Sequence, residues 1–237
     1  MEANHPPRRI DLNADVGEGL PPEHDRALMG LVSSASIACG GHAGDAGTMR
    51  RTLFVASELG LRIGAHPSYP DRDGFGRRAM ALGPQALIDC VGEQVSALQE
   101  AARQAGLRVD YLKPHGALYS AAAADEEVAR AVAAAASLLG LPVMFLAGAR
   151  TLGRLPEDTP PVIREGFLDR GYRPDGTLIP RHEEGALIHD PDAAAVQALT
   201  LTLSVDSLCI HSDSPAALSI VRSARTALRT AGIEIGH

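Results

Sequence analysis

Tryptophan is absent from the sequence, and aromatic residues make up only 3% of its 237 residues. A core with few aromatic rings must be packed mainly from smaller side chains, and hydrophobic residues still amount to 45% of the total. A chain of this length buries roughly 70% or more of the surface that it exposes when unfolded. The shortage of aromatic residues therefore does not exclude a stable globular fold, and such a chain needs no disulfide bond or structural metal in order to fold.

Cysteine is also scarce, and no two cysteines form a CxxC pair. Cys39, Cys90 and Cys209 lie far apart in the sequence, which excludes the common zinc-binding and thioredoxin-like spacings. An odd number of scattered thiols is typical of reduced cysteines in a cytoplasmic protein, and we expect that location. We expect Cys39 and Cys209 to be packing residues.

No run of lysine or arginine is present, and 22 basic against 29 acidic residues give a formal net charge of −7. Binding to nucleic acid or to an anionic membrane needs a basic surface, so we expect neither partner. The longest apolar run, residues 129–141, is too short and interrupted for a membrane span. The N-terminal arginines precede no apolar segment, so no signal peptide is predicted. A homo-oligomer is compatible with the sequence.

Short β-prone runs alternate with helical segments along the whole chain. The runs are apolar without strict alternation, which is typical of strands covered on both faces; they comprise residues 9–14, 35–39, 62–65, 109–113, 142–147, 162–165 and 207–210. Helices are predicted at residues 45–59, 84–105, 121–139, 190–203 and 214–231. Such alternation favours parallel strands joined by right-handed crossovers. We predict an α/β fold, a single-domain (β/α) barrel of about seven parallel strands over residues 1–237, with a doubly wound open sheet as the alternative.

Chemically active side chains follow the carboxyl ends of several predicted strands. Those at or just after a strand end are Asp15, Glu18, His42, His66, Lys113, His115 and His211. In β/α barrels the carboxyl ends of all strands meet at the face that carries the active site. One histidine near a strand is usually structural, but such a set is improbable as packing alone. We predict that Asp15, Glu18, His42, His66, Lys113 and His115 are catalytic.

Residues close to the same strand ends are candidates for binding the substrate. Gly40 and Gly41 allow the backbone to approach a ligand closely, and Asp45 either contacts that ligand or only caps the following helix. Arg77 and Arg78 suit a carboxylate or phosphate group, or lie at the surface. Four further candidates complete the predicted substrate site: Asn13, Glu165, His211 and Asp213.

A divalent metal is a second interpretation of the strand-end cluster. A carboxylate with several imidazoles is a common ligand set in hydrolases. Here it would comprise Asp15, His42, His66 and His115. No spacing such as HExxH demands a metal, so the sequence leaves its presence open. The phosphate-binding motif GxxxxGK[ST] and the nucleophile motif GxSxG are both absent.

Six motifs, in order along the chain, resemble those of the LamB/YcsF family. They are DLNADVGE (11–18), IACGGHAGD (37–45), GAHPSYPDRDGFGRR (64–78), YLKPHGALY (111–119), EGFLDRGYRPDGTLIPR (165–181) and CIHSD (209–213). The departures are small. Ser120 and Ser214 stand where the family usually has asparagine, and Ser212 where it usually has glycine.

The resemblance implies a barrel related to those of glycosidases and deacetylases. It implies the opening of 5-oxo-L-proline (pyroglutamate) to L-glutamate, coupled to hydrolysis of ATP, which normally carries Mg²⁺. It also implies partners, because the family's activity resides in a complex with 5-oxoprolinase subunits B and C. Two alternatives are a stand-alone metal-dependent amidohydrolase or deacetylase and a non-catalytic scaffold for the partner subunits.

Overall fold

Seven parallel strands close into a barrel at the centre of the molecule. The computed structural model describes residues 8–237. The prediction that the chain has no signal peptide concerns the N-terminal segment, most of which lies outside the described residues. The strands are β1 (Arg9–Val16), β2 (Ser34–Ala38), β3 (Arg62–His66), β4 (Tyr111–Leu112), β5 (Val143–Leu146), β6 (Val162–Phe167) and β7 (Ser207–His211). They pair in chain order, and β1 bonds to both β2 and β7, which closes the barrel. The predicted barrel is confirmed, and the open sheet is wrong.

An eighth strand, β8 (Glu234–Ile235), continues the sheet outside the barrel. It pairs in parallel with the first two residues of β1, which places Arg9 opposite Glu234 and Ile10 opposite Ile235. The sequence did not predict β8, because two residues are too few to show a periodic pattern. Strand β8 holds the chain's last residues against the start of its first strand.

Among residues 8–237, seven α-helices surround the barrel: α1 (Pro22–Met29), α2 (Ala46–Glu58), α3 (Pro84–Gln104), α4 (Gly116–Ala124), α5 (Glu126–Leu138), α6 (Pro191–Leu201) and α7 (Ala217–Thr230). A 3₁₀ turn spans Leu152–Arg154. Within the described residues, no helix has both the length and the apolar character needed to cross a bilayer. The helices pack on the apolar outer face of the strands.

The single helix predicted at residues 121–139 is wrong, because it is broken at Asp125. That residue is extended, with φ −116° and ψ 121°, and its carboxylate accepts hydrogen bonds from the main-chain N–H groups of Glu127 and Val128. An aspartate that caps a new helix interrupts the alanine-rich run. Helix α1 was not predicted, since only Asp25, Leu28 and Met29 of its eight residues are buried.

Strand β1 separates an apolar layer from a polar one. Leu12, Ala14 and Val16 pack in the hydrophobic core between the strands and the helices. The intervening residues point into the barrel, where Asn13 Nδ2 donates to Glu165 Oε1 on β6 at 3.0 Å. Strands β1 and β6 are not neighbours, so this bond must cross the interior. The barrel is therefore filled by a buried polar network, in contrast to the apolar layers usual in β/α barrels.

Candidate active site

The carboxyl ends of the strands bring most of the predicted catalytic side chains to one rim. Asp15 lies opposite His211 in the pairing of β1 with β7, and His66 is the last residue of β3. His42 and His115 lie in the loops that follow β2 and β4. Residues from distant parts of the chain meet here because parallel strands all finish on the same side.

Lys113 is the centre of the charged network at this rim, and only 1% of the residue is exposed. Its Nζ atom donates to Asp15 Oδ1 at 2.6 Å and lies 2.9 Å from Glu165 Oε1. Burial alone would lower the pKa of Lys113, but the neighbouring Asp15 carboxylate and other negative groups hold it well above its usual value. Asp15 correspondingly stays ionised: burial opposes this, but His66 and Lys113 keep its pKa well below the ordinary range. The site thus contains a buried ammonium between two carboxylates.

Cys209 also belongs to this network, with its Sγ atom 3.1 Å from Lys113 Nζ. Burial, reinforced by the Asp15 carboxylate, raises the pKa of the Cys209 thiol well above its usual value. Burial also raises the pKa of Cys39, to about 12. Thiols that remain protonated are poor nucleophiles, so neither cysteine suits covalent catalysis.

Three imidazoles and Glu18 form a compact group beside Asp15. The rings of His42 and His115 are stacked, with centroids 3.6 Å apart, and His66 meets both edge-on. Glu18 Oε1 lies 2.9 Å from His42 Nε2 and 3.2 Å from His115 Nδ1. His66 Nε2 lies 3.4 Å from Asp15 Oδ2. The group is therefore held between two carboxylates.

Main-chain carbonyl groups determine which nitrogens of two rings carry protons. His66 Nδ1 lies 2.8 Å from the carbonyl oxygen of Lys113, and His115 Nε2 lies 3.0 Å from that of Phe75. A carbonyl oxygen only accepts, so both of these nitrogens must be N–H donors. The remaining nitrogens, His66 Nε2 and His115 Nδ1, face each other at 3.0 Å. If both rings were neutral, the lone pairs of these two nitrogens would face each other and repel. A proton or another cation must therefore lie between them.

The pKa shifts of the three histidines differ in direction. Burial would lower the pKa of His66, but the Asp15 carboxylate raises it above the ordinary histidine value. Burial lowers the pKa of His115, and lowers that of His42 to about 4, despite the Glu18 carboxylate beside both rings. Burial raises the pKa of Glu18, but the adjacent His115 and His42 rings lower it by more, so Glu18 is ionised. In the absence of a metal, the shared proton therefore lies on His66.

The same group has the composition of a metal-binding site. One ligand atom from each of Glu18, His42, His66 and His115 lies within 4.8 Å of the others. This set contains Glu18 where the sequence suggested Asp15, which is instead bonded to Lys113. The proton-bearing nitrogens of His66 and His115 donate to carbonyl groups, as metal-ligating histidines usually do, whereas His42 Nδ1 is buried and has no hydrogen-bond partner in the described part of the chain. The donor set suits Zn²⁺ or a similar hydrolase metal.

A cavity of about 600 Å³ opens above this rim. Asp15, His66, Lys113 and His115, at the strand ends, line the part of the cavity that we call its floor, whereas Glu18 and His42 do not line the cavity. The loop before α3 supports the floor through Phe75, whose φ of 54° is the one positive value among the described non-glycine residues. A non-glycine residue held in this conformation is strained, and such strain is frequent at functional sites.

The predicted substrate-binding residues fall into two groups. Arg77 and His211 line the cavity; Arg77 pairs with Asp213, and His211 Nδ1 lies 2.9 Å from Asp169 Oδ1. Asn13 and Glu165 lie deeper, in the polar interior of the barrel. Their roles in substrate binding remain predictions.

The other predicted binding residues do not line the cavity. Arg78 is exposed and lies 3.5 Å from Asp71 Oδ1. Asp45 accepts a hydrogen bond from Thr48 N at 2.7 Å and so caps α2. Gly40 and Gly41 are in the turn after β2, where Gly41 packs so closely that an added Cβ atom would lie 2.3 Å from Gln94 Oε1. The structure therefore places Arg78 at the surface and Asp45 at a helix end.

Arg170 and Asp169 were missed in the sequence, although both contribute to the cavity region. Asp169 follows the end of β6 by two residues and Arg170 by three, within the motif EGFLDRG. The rule that directed attention to the histidines, a polar residue just after a strand end, points to them as well. Arg170 lines the cavity wall.

Comparison with known proteins agrees with the motifs. The family model described as "LamB/YcsF family" matches residues 10–237. The chain is similar to the A subunit of 5-oxoprolinase from Streptomyces avermitilis, with 44% identity over 245 residues that cover 95% of this chain and 98% of the relative. It is also similar to the lactam utilization protein of Thermus thermophilus, with 38% identity, a TM-score of 0.88, and coverage of 96% of this chain and 99% of that one.

A more distant likeness concerns the fold alone. The family 4 carbohydrate esterase of Streptomyces lividans superposes with a TM-score of 0.55 at 14% identity, over 97% of this chain and 92% of the esterase. The deacetylase-like barrel implied by the motifs is thus confirmed at the level of architecture. The family match and the 44% identical relative both extend over nearly the whole chain. The chain therefore belongs to the LamB/YcsF family.

Proposed function

We propose that this chain carries the lactam-opening site of an ATP-dependent 5-oxoprolinase, which converts 5-oxo-L-proline to L-glutamate. The proposal rests mainly on the meeting of Asp15, His66, Lys113 and His115 at the floor of one cavity. The reaction class comes from the related proteins, one named as the A subunit of 5-oxoprolinase and the other as a lactam utilization protein.

In this proposal the complete enzyme also contains subunits B and C, and ATP is the co-substrate together with Mg²⁺. The chain lacks the GxxxxGK[ST] motif, so partner subunits or an unrelated type of site would bind the nucleotide. The complex would act in the cytoplasm, where ATP is available and where three unpaired cysteines stay reduced.

ATP is needed because the lactam is a planar, resonance-stabilised amide without ring strain. Phosphorylation of its oxygen makes the carbonyl carbon electrophilic, and water then adds to that carbon. Departure of the ring nitrogen, which takes up a proton, leaves an acyl phosphate. A second water molecule hydrolyses the acyl phosphate to glutamate and phosphate.

The side chains on the floor are suited to the proton transfers of this sequence. Once His66 has given away the proton that it shares with His115, His115 Nδ1 is free to accept a proton from the attacking water as general base; burial lowers the pKa of His115. His66, whose pKa Asp15 raises, donates a proton to the departing nitrogen. The Lys113 ammonium stabilises negative charge on the phosphorylated oxygen. Asp15 holds both cations in place and is not itself the general base.

A stand-alone metal-dependent amidohydrolase is the second candidate, favoured by the four ligand atoms that Glu18, His42, His66 and His115 bring within 4.8 Å. A metal held by these residues would supply a water molecule with a lowered pKa. In that case Asp15 and Lys113 would orient the substrate without the help of ATP.

Glutamate release from 5-oxoproline distinguishes the candidates. The full chain is assayed alone and with subunits B and C, in each case with and without ATP. We expect release only from the complete mixture with ATP. Release by the chain alone without ATP would support the amidohydrolase, and no release from any mixture would contradict both.

A further inference from the structure

Arg170 is a buried guanidinium on the wall of the cavity, and only 7% of the residue is exposed. It lies just after β6, in a segment folded back on itself through antiparallel bridges between Arg170 and Leu187 and between Tyr172 and Leu178. Its Nε and Nη2 atoms donate to the carbonyl oxygens of Ala186 at 3.2 Å and Ile179 at 2.7 Å. These bonds fix the orientation of the guanidinium and leave Nη1 for a ligand.

No ion pair neutralises Arg170 within residues 8–237. The two other arginines on this wall, Arg77 and Arg181, share the single carboxylate of Asp213. Asp169, the adjacent carboxylate, is bonded to His211. Burial, followed by the nearby charge of Arg181, lowers the pKa of Arg170, and the Asp169 carboxylate opposes this only in part.

A buried charge without a direct ion pair is unfavourable, and buried charges in proteins are normally paired. The two carbonyl groups satisfy N–H donors of Arg170 but do not neutralise its charge. A ligand that brings a carboxylate into the cavity would do so. The guanidinium geometry suits a carboxylate particularly well, since it presents parallel donors in one plane.

We propose that Arg170 binds the carboxylate of the substrate and thereby makes the cavity selective for lactam acids over neutral lactams. This inference rests on the proposed function of the same cavity. In 5-oxoproline the carboxylate and the amide carbonyl are attached to the carbons on either side of the ring nitrogen. A carboxylate anchored at the wall therefore turns the carbonyl towards Lys113 and His115 on the floor.

The test measures binding of 5-oxoproline and of 2-pyrrolidone, which lacks the carboxylate, to the full chain by calorimetry without ATP. We expect wild type to prefer 5-oxoproline. Arg170→Met should weaken 5-oxoproline binding by about 10- to 100-fold, as for loss of a hydrogen bond to a charged group, and leave 2-pyrrolidone binding unchanged. Arg170→Lys should retain part of the preference.

Arg173→Met is the matched control, because Arg173 is in the same segment but is exposed and pairs with Glu183. It should change neither affinity. Three results would overturn the proposal. They are an equal loss of affinity for 5-oxoproline and 2-pyrrolidone in Arg170→Met, an unchanged affinity of that variant for 5-oxoproline, and no binding of 5-oxoproline to wild type. Loss of inorganic phosphate binding, and not of 5-oxoproline binding, in Arg170→Met would also overturn it and would assign Arg170 to a phosphoryl group.

Turnover is measured separately with subunits B and C and ATP. If Arg170 is needed for the preference for 5-oxoproline but the complete mixture releases no glutamate, the carboxylate site is supported and the proposed reaction is contradicted. Glutamate release with the same KM in wild type and Arg170→Met would retain the reaction and contradict the carboxylate site.

Discussion

At the centre of the site a single lysine forms ion pairs with two carboxylates. Lys113 Nζ lies 2.6 Å from Asp15 Oδ1 and 2.9 Å from Glu165 Oε1, and all three side chains are buried. Replacement of one member of a buried ion pair leaves an uncompensated charge, which usually costs more than the pair contributes. The stability of the barrel and the charge state of its active site thus depend on the same residue.

Lys113→Met should therefore destabilise the protein by about 3–5 kcal/mol, since two buried carboxylates lose their partner. Unfolding in urea, followed by circular dichroism, measures the change. Arg164→Met provides the control, because Arg164 pairs with Asp206 at the surface, where both side chains are about half exposed. A loss in Lys113→Met no greater than in the control would contradict the network described for the barrel interior.

Asp15→Asn should abolish glutamate formation in the assembled complex and leave the fold intact. Lys113 retains Glu165 as a partner in this variant, but His66 loses the carboxylate that raises its pKa. Glutamate assays and circular dichroism of the same preparation give the two readouts. Near-normal turnover would remove Asp15 from the mechanism.

At the scale of the elements, Asp45 and Asp125 occupy equivalent positions. Each carboxylate accepts main-chain hydrogen bonds at the start of a helix, α2 for Asp45 and α5 for Asp125. Asp45 was also a predicted substrate ligand, whereas Asp125 was not. A comparison of variants at Asp45 and Asp125 therefore distinguishes a helix-capping role from a substrate-binding role.

Asp45→Ala and Asp125→Ala should each lower Tm by about 2–4 °C through loss of a cap and leave the KM for 5-oxoproline unchanged. Thermal unfolding of the chain and kinetics of the assembled complex measure the two effects. A raised KM in Asp45→Ala alone would return Asp45 to the substrate site.

Elements with a strong local pattern were predictable from the sequence. Strands β1 and β7 and helix α3 were predicted to within two residues at both ends, because an apolar run or a Gly-Pro start marks each one. The break at Asp125 was not, because an alanine-rich stretch continues across it and only the capping geometry shows that a second helix begins.

At the scale of the whole molecule, the site was predictable as far as strand order determines it. A parallel barrel brings residues after its strand ends together whatever their separation in the sequence, so the grouping of His42, His66 and His115 followed from the fold. Strand order does not determine which carboxylate contacts these histidines, because that depends on the geometry of the loop after β1. Glu18 reaches the histidines from beyond the end of β1, whereas Asp15, still within that strand, faces Lys113.

This division between the two carboxylates gives a test of metal binding with a readout other than activity. A metal held by Glu18 and the three histidines would stabilise the folded chain, by about 2.7 kcal/mol at a metal concentration about 100 times its Kd. For a protein of this size that corresponds to a rise in Tm of about 5–10 °C on addition of Zn²⁺, reversed by a chelator.

Glu18→Gln should abolish the rise in Tm, because it removes the charged ligand of the set, whereas Asp15→Asn should preserve most of it. Metal content of the two variants after dialysis, measured by atomic emission, should follow the same order. The reverse order would transfer the carboxylate ligand to Asp15, as the sequence first suggested. An unchanged Tm in wild type would leave the proton on His66 as the positive charge between the opposed lone pairs of His66 and His115.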